Sequence, residues 1–385
     1  MQAGGKEITK AGEGDMPAIQ WMKLVTVVAA AGIIGAFGCA QQPTQMADGA
    51  LPQYTVDPFW PKPLKDNWIW GQVSSVTVDS RDHVWVLHRP NTMLDDDKGA
   101  QQKPPANRCC VAAPPVMEFD QDGNFVQGWG GPGQGYDWPK NEHGIHVDWQ
   151  GNVWISGNDP LDGQILKFTR EGKLILQIGK AGKSVGSNSQ TQLGRPAAID
   201  SDAAANEIFV GDGYGNRRVI VFNATTGAYK RHWGAYGAVP SDDKVPPYQP
   251  GAEPSKQFGN PHCVRRTRDG LLYVCDRPNN RIQVFLSDGT FVREFFIDPP
   301  TLSGPVADLV TSRDAGERYI FAADGSNSEI NILSRADGRK LGSFGRPGRM
   351  AGEFRALHNI AIDSRGNLYT TEAGYGRRLQ KFRLQ

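Results

Sequence analysis

The chain has 385 residues, with 42 basic and 41 acidic side chains and a formal net charge of +1. So even a balance gives no electrostatic case for a nucleic-acid partner. Its 46 glycines and 26 prolines reflect many turns rather than disorder.

The first element in chain order is a leader. Lys23 is followed by the apolar run LVTVVAAAGIIGAFG and then by Cys39. The run is too short to span a bilayer comfortably and has the form of a secretory h-region. Small residues before a cysteine point to a bacterial lipoprotein signal, with Cys39 as the lipidated first residue, although Phe37 stands where a small residue is usual. We therefore expect a leader with an N-terminal extension over 1–39 and a polar linker over 40–52. The protein is expected to be exported, to the periplasm or the cell surface, and to touch a membrane only through Cys39.

From about residue 68 onward one unit recurs. It reads as a hydrophobic strand, a D-x-x-G-type turn, a second strand, a polar loop ending in Asn/Arg, a third strand, a turn and a fourth strand. The copies open at VSSVTVD, HGIHVD, RPAAID, HCVRRT, VADLVT and HNIAID. Short alternating strands at this spacing, with no amphipathic helical pattern among them, predict an all-β, six-bladed β-propeller over 53–385. The last copy stops after three strands, and the segment from Tyr54 to Phe59 is expected to supply the fourth and close the ring.

Three histidines occupy the same place in every second copy. His143, His262 and His358 each lie five residues before the position that opens a turn, at Asp148, Thr267 and Asp363. Equivalent positions in alternate blades point at one axis from three directions. Three imidazoles with an open fourth position form a catalytic zinc centre. Singly, each would more often be a packing residue, as His83, His146 and His232 are read to be. The Asn/Arg pairs, such as Asn216 with Arg217 and Asn280 with Arg281, are expected to staple loops, and Trp129 and Trp233 to pack the core. Export permits disulfides among the four cysteines after Cys39. Cys109 can pair with its neighbour Cys110, and Cys263 with Cys275 across a hairpin.

With these residues in place, the chain from roughly 70 to 385 resembles the peptidyl-α-hydroxyglycine α-amidating lyases, six-bladed propellers of NHL-type repeats. That family holds zinc with three histidines, and EHGI, NPHC and LHNI are similar to their surroundings. Its arginine in an HRG segment is matched by Arg89 in LHRPN. Its tyrosine in a DGYxNSR segment is matched by Tyr214 in DGYGNRR, and its second arginine by Arg277 in CDRPNNRIQ. The resemblance implies a substrate ending in α-hydroxyglycine, split to an amide and glyoxylate, with Tyr214 as base. Arg89 would stabilise developing charge, and Arg277 would orient the substrate carboxylate with its planar fork. It further implies a structural calcium on the axis, bound by the carbonyls of Val73 and Ile145. Asn359 stands where the family has an aspartate. Gly215 replaces a disulfide-forming cysteine, and the excursion from Asn91 to Pro115 reshapes the first blade. Two other classes compete: a non-enzymatic propeller that binds a peptide or protein around a structural ion, and a calcium-dependent lactonase-like hydrolase.

Overall fold

The turns of the repeat explain its strands. In blade 1 the Asp79 carboxylate accepts the backbone N–H groups of Arg81 and His83, and the indole of Trp85 on the next strand. Asp148 does the same for Gln150, Asn152 and Trp154, and Asp363 for Arg365, Asn367 and the Tyr369 hydroxyl. One side chain thus satisfies two turn donors and pins the aromatic that follows, which fixes the hairpin register.

The computed structural model describes residues 51–385; the leader, Cys39 and residues 40–50 of the linker lie outside them. Six four-stranded antiparallel sheets follow one another. The innermost strands are Gln72–Val78, Glu142–Val147, Ala198–Asp202, Pro261–Arg266, Asp308–Thr311 and Leu357–Ile362. Each packs against the next, and the sixth packs on the first. The sixth blade takes its outer strand, Tyr54–Asp57, from the start of the described chain, and Tyr54 pairs with Leu384. This is the predicted ring closure.

Six apolar clusters lie between blades rather than within them. Trp85, Leu87 and Val116 of blade 1 meet Ile145, Ile155 and Phe168 of blade 2, and so on round the ring until Tyr369 and Leu379 of blade 6 meet Val73 and Val86 of blade 1. Each interface is a core of its own, so no blade is stable without both neighbours. Trp129 and Trp233 pack on Phe168 and Phe285, as expected.

The staples differ from the expected pairing in blade 3. Asp212, at the end of the second strand, accepts from Asn216 and from the fully buried Arg218, whereas Arg217 turns to the Phe258 carbonyl. Adjacent strand residues face opposite sides, so only one of the two arginines can reach Asp212. Blade 4 repeats the arrangement with Asp276, Asn279 and Arg281, while Asn280 bonds the Asp298 carbonyl. Cys263 and Cys275 are disulfide-bonded across the first hairpin of blade 4, and Cys109 is bonded to Cys110. The blade 1 excursion folds as two short 3-10 turns, Pro90–Thr92 and Asp96–Gln101, tied to blade 6 by Arg377, which pairs with Asp97 and donates to the Thr92 carbonyl.

If the N-terminal strand seals the ring, removing residues up to Phe59 exposes the Arg378–Leu384 edge and the Phe321 and Phe344 rings that Tyr54 covers. A chain so shortened is expected to melt several degrees lower and to self-associate. Calorimetry and size-exclusion chromatography check this; an unchanged melt would show that three strands suffice for blade 6.

Candidate metal centre and active site

Each of the three predicted histidines sits at the start of an innermost strand, and each is tied to the blade after its own. His143 Nδ1 lies 2.8 Å from the Ala197 carbonyl, His262 Nδ1 2.6 Å from that of Ala307, and His358 Nδ1 2.7 Å from that of Ser74. A carbonyl can only accept, so Nδ1 carries the proton and Nε2 is left with its lone pair. The ring centroids stand 5.0, 4.8 and 5.0 Å apart, near threefold symmetry. One ligand atom from each falls within 4.8 Å of the others, and no carboxylate or thiol joins the group among the described residues.

Burial, first of all, holds the imidazoles neutral. It pushes His358 down to about 3, with the Arg89 and Arg277 charges adding to the effect, and His143 and His262 well below their ordinary value. Three neutral, pre-oriented nitrogen donors with an open side fit zinc.

Tyr214 occupies that open side. Its hydroxyl is 3.0 Å from His143 Nε2 and 2.9 Å from His262 Nε2. Arg277 NH1 is 3.3 Å from His262 Nε2. Arg89 is buried; its Nε donates to the Glu142 carbonyl at 2.6 Å and its NH1 to Gln72 at 2.8 Å. The structure therefore brings together all six residues assigned to the zinc centre and its chemistry. Burial pushes the neighbouring Glu142 carboxyl up to about 7, which weakens it as a counter-ion for Arg89.

One further residue was not singled out in the sequence. Arg195 lies in the irregular loop before blade 3, in a left-handed conformation at φ +62°. Its guanidinium stacks 5.5 Å from the Tyr214 ring, its Nε donates to the Asn158 carbonyl at 2.8 Å, and its own carbonyl accepts from the Tyr214 N–H at 3.4 Å. A non-glycine residue held at positive φ marks a position fixed by its surroundings. Among the described residues Arg89, Arg195 and Arg277 all lack a carboxylate partner, unlike the paired arginines of the staples. Gly215, in the place of the expected cysteine, donates its N–H to the Gly194 carbonyl at 2.7 Å, so a backbone contact tethers this loop.

The calcium site does not fit. Asn359 Oδ1, the expected ligand, already accepts from the Val76 N–H at 2.8 Å and the Ser75 hydroxyl at 3.2 Å. His83, His146 and His232 take part in side-chain hydrogen bonds with Glu118, Ser201 and Tyr229 away from the centre, as expected of structural residues.

Fold and site together define an NHL-repeat propeller with a three-histidine axial centre; the NHL repeat itself matches residues 258–285, in blade 4. The chain is similar to peptidyl-alpha-hydroxyglycine alpha-amidating lyase 2 of Drosophila melanogaster, 28% identical over 331 residues, covering 81% of this chain and 72% of that one. It is also similar to NHL repeat-containing protein 3 of Mus musculus, 24% identical over 342 residues, covering 86% and 84%. Against the longer peptidylglycine alpha-amidating monooxygenase of Rattus norvegicus it is 28% identical over 234 residues, 58% of this chain, and spans only 22% of that protein. A solved streptogramin B lyase shares the fold, with a TM-score of 0.51 at 12% identity over 86% of this chain and 98% of that one.

A histidine whose folded pKa is depressed contributes stability that is complete above its unfolded value, near 6.5, and is lost as the pH falls toward the folded value. The metal-free protein is therefore expected to lose stability between pH 6.5 and about 3, the value for His358, with each histidine steepening the slope by up to ~1.4 kcal/mol per pH unit. Melts of wild type and His358→Asn at stepped pH test this; parallel slopes would contradict it.

Proposed function

We propose that the protein is a zinc-dependent carbon–nitrogen lyase that splits a C-terminal peptidyl-α-hydroxyglycine, or a close chemical relative, into an amide and glyoxylate. The observation that carries this reading is the Tyr214 hydroxyl within hydrogen-bond reach of two Nε2 atoms of an open three-histidine centre. The names of the amidating lyase and monooxygenase relatives support it.

His143, His262 and His358 would hold the zinc, which when bound would supply a Lewis acid that makes the substrate hydroxyl easier to deprotonate. Tyr214, entering the step as the phenolate, takes that proton at Oη. The O–H pair becomes the carbonyl of glyoxylate, the C–N bond breaks, and its electrons go to the amide nitrogen, which recovers a proton from the Tyr214 phenol. Protons and charge balance with no other reactant. Arg277 pairs with the substrate carboxylate by its planar fork. Arg89, buried and without a carboxylate partner, stabilises the oxygen charge that develops. Arg195 fixes the plane of the Tyr214 ring and leaves its two terminal amino groups for the peptide.

The rival reading, a peptide-binding propeller around a structural ion, takes support from the likeness to a relative named only for its repeats. It requires a closed coordination shell, and the described residues offer three histidines without a fourth acidic or thiol ligand. In either reading we place the protein in an exported compartment, from the sequence of its leader.

Glyoxylate release from α-hydroxyhippurate by the purified protein is expected to vanish on metal stripping and to return with zinc. Tyr214→Phe should lower kcat by ~10²–10⁴-fold while one zinc per chain remains bound. Arg277→Ala should raise KM by about tenfold or more, the worth of a charge-assisted hydrogen bond. Stoichiometric zinc without glyoxylate release would favour the binding propeller.

A further inference from the structure

Next to the histidines, the six innermost strands are joined by an open chain of polar contacts. The Ile145 N–H donates to the Ser75 hydroxyl at 3.3 Å, and that hydroxyl donates to Asn359 Oδ1 at 3.2 Å. The Asn359 amide donates to Asp308 Oδ2. The same carboxylate oxygen accepts from the Ile360 N–H at 3.2 Å and from Arg265 NH2 at 2.6 Å. Arg265 NH1 then reaches the Ile199 carbonyl at 3.5 Å. Ser75, Ile145, Ile199, Arg265, Asp308 and Asn359 belong to blades 1 to 6 in turn, so each blade contributes one member.

Arg265 sits where two axial cavities meet. It lines, together with the three histidines and Asn359, a space of only about 10 Å³, and it also lines the wider cavity of about 180 Å³ toward Asp200, Arg313 and Glu317. The smaller space holds about one water. A divalent ion there would lie beside a guanidinium whose side chain is only 17% exposed, where the lowered dielectric magnifies repulsion. It would also have to take Asn359 Oδ1 from two donors.

We propose that Arg265 is the resident cation of the propeller axis: paired with Asp308 and linked to Asn359 through it, its guanidinium does the work of a bound calcium, and the axis of this protein takes no divalent ion other than at the three histidines. The fixed positive charge is supplied by blade 4 and its counter-charge by blade 5. The neutral Asn359 is then the side chain the belt requires, because it must accept from blade 1 and donate to blade 5 at once, and an aspartate cannot donate. One acceptor is left over: Asp308 Oδ1 is buried without a donor. A calcium retained by this chain would have to use it, so the point can be decided by measurement.

The full chain, purified without chelator, is assayed for calcium by elemental analysis and melted in calcium-free buffer with increasing calcium chloride. The expected result is calcium far below one per chain and a melting temperature that does not rise. Near-stoichiometric calcium, or a rise of several degrees with added calcium, would overturn the proposal. In the same buffer, the separate drops in melting temperature for Arg265→Met and Asp308→Asn should sum to more than the drop in the double variant, because each alone leaves a largely buried charge unpaired. Strict additivity would also overturn it. Should either single variant fail to fold, the calcium measurements on the wild-type chain decide by themselves. None of these readouts uses lyase activity, so they stand whether or not the chain turns over hydroxyglycine.

Discussion

The contact on which the centre depends is the hydrogen bond from each axial histidine to a carbonyl of the following blade. It sets the tautomer, aims Nε2 at the axis, and does so three times with partners at Ser74, Ala197 and Ala307. Because the partner is always on the next blade, the site exists only in the closed ring. His358 makes the dependence explicit: it belongs to the last blade and bonds the first. The strand that closes blade 6 and the interface that seals blade 6 to blade 1 therefore lie upstream of the chemistry, although no residue of that strand approaches the axis.

Placing hydrophobic cores between blades has a further consequence at the centre. Each blade meets its neighbours through a largely apolar layer crossed by a few polar contacts, such as Arg170 with Asp79 and Glu118, and many polar groups of the innermost strands face the axis. There they must satisfy one another. The histidines do so through carbonyls and the neighbouring polar chain through Ser75, Asn359, Asp308 and Arg265. Burial of these groups keeps the imidazoles neutral, so the same layer that holds the ring together readies the ligands for a cation.

Much of this was legible in the sequence because the repeat converts position into direction. Once the period was read, His143, His262 and His358 had to share an axis, and the segment at Tyr54 had to fill the vacancy in blade 6. Arg89, Arg277 and Tyr214 were legible for another reason, since each lies in a loop segment whose residues resemble a known pattern. Arg195 was not, because nothing in GRPAAID shows that its backbone takes a left-handed turn that lays the guanidinium on Tyr214. The fate of Asn359 was hidden as well. Its residue type allows a metal ligand or a hydrogen-bonding bridge, and only partners 284 and 51 residues away decide which. The staples fall between these cases: Asn216 was rightly read as a loop staple, but choosing Arg218 over Arg217 requires knowing which strand face looks at Asp212.

The arginines near the axis fall into two groups by their partners. Arg218 and Arg281 are fully buried against Asp212 and Asp276 within their own blades, and the partly buried Arg265 pairs with Asp308 of the next blade; such pairs have no charge to spare. Arg89, Arg195 and Arg277 stand around Tyr214 with no carboxylate of their own. Holding the buried Arg89 and the half-buried Arg195 and Arg277 beside neutral imidazoles is costly for folding alone, since each loses some hydration without gaining a close ion pair. That cost is offset if an anion arrives. Under the proposed function, a ligand carrying a carboxylate, and developing further negative charge on an adjacent oxygen as it reacts, would supply that anion.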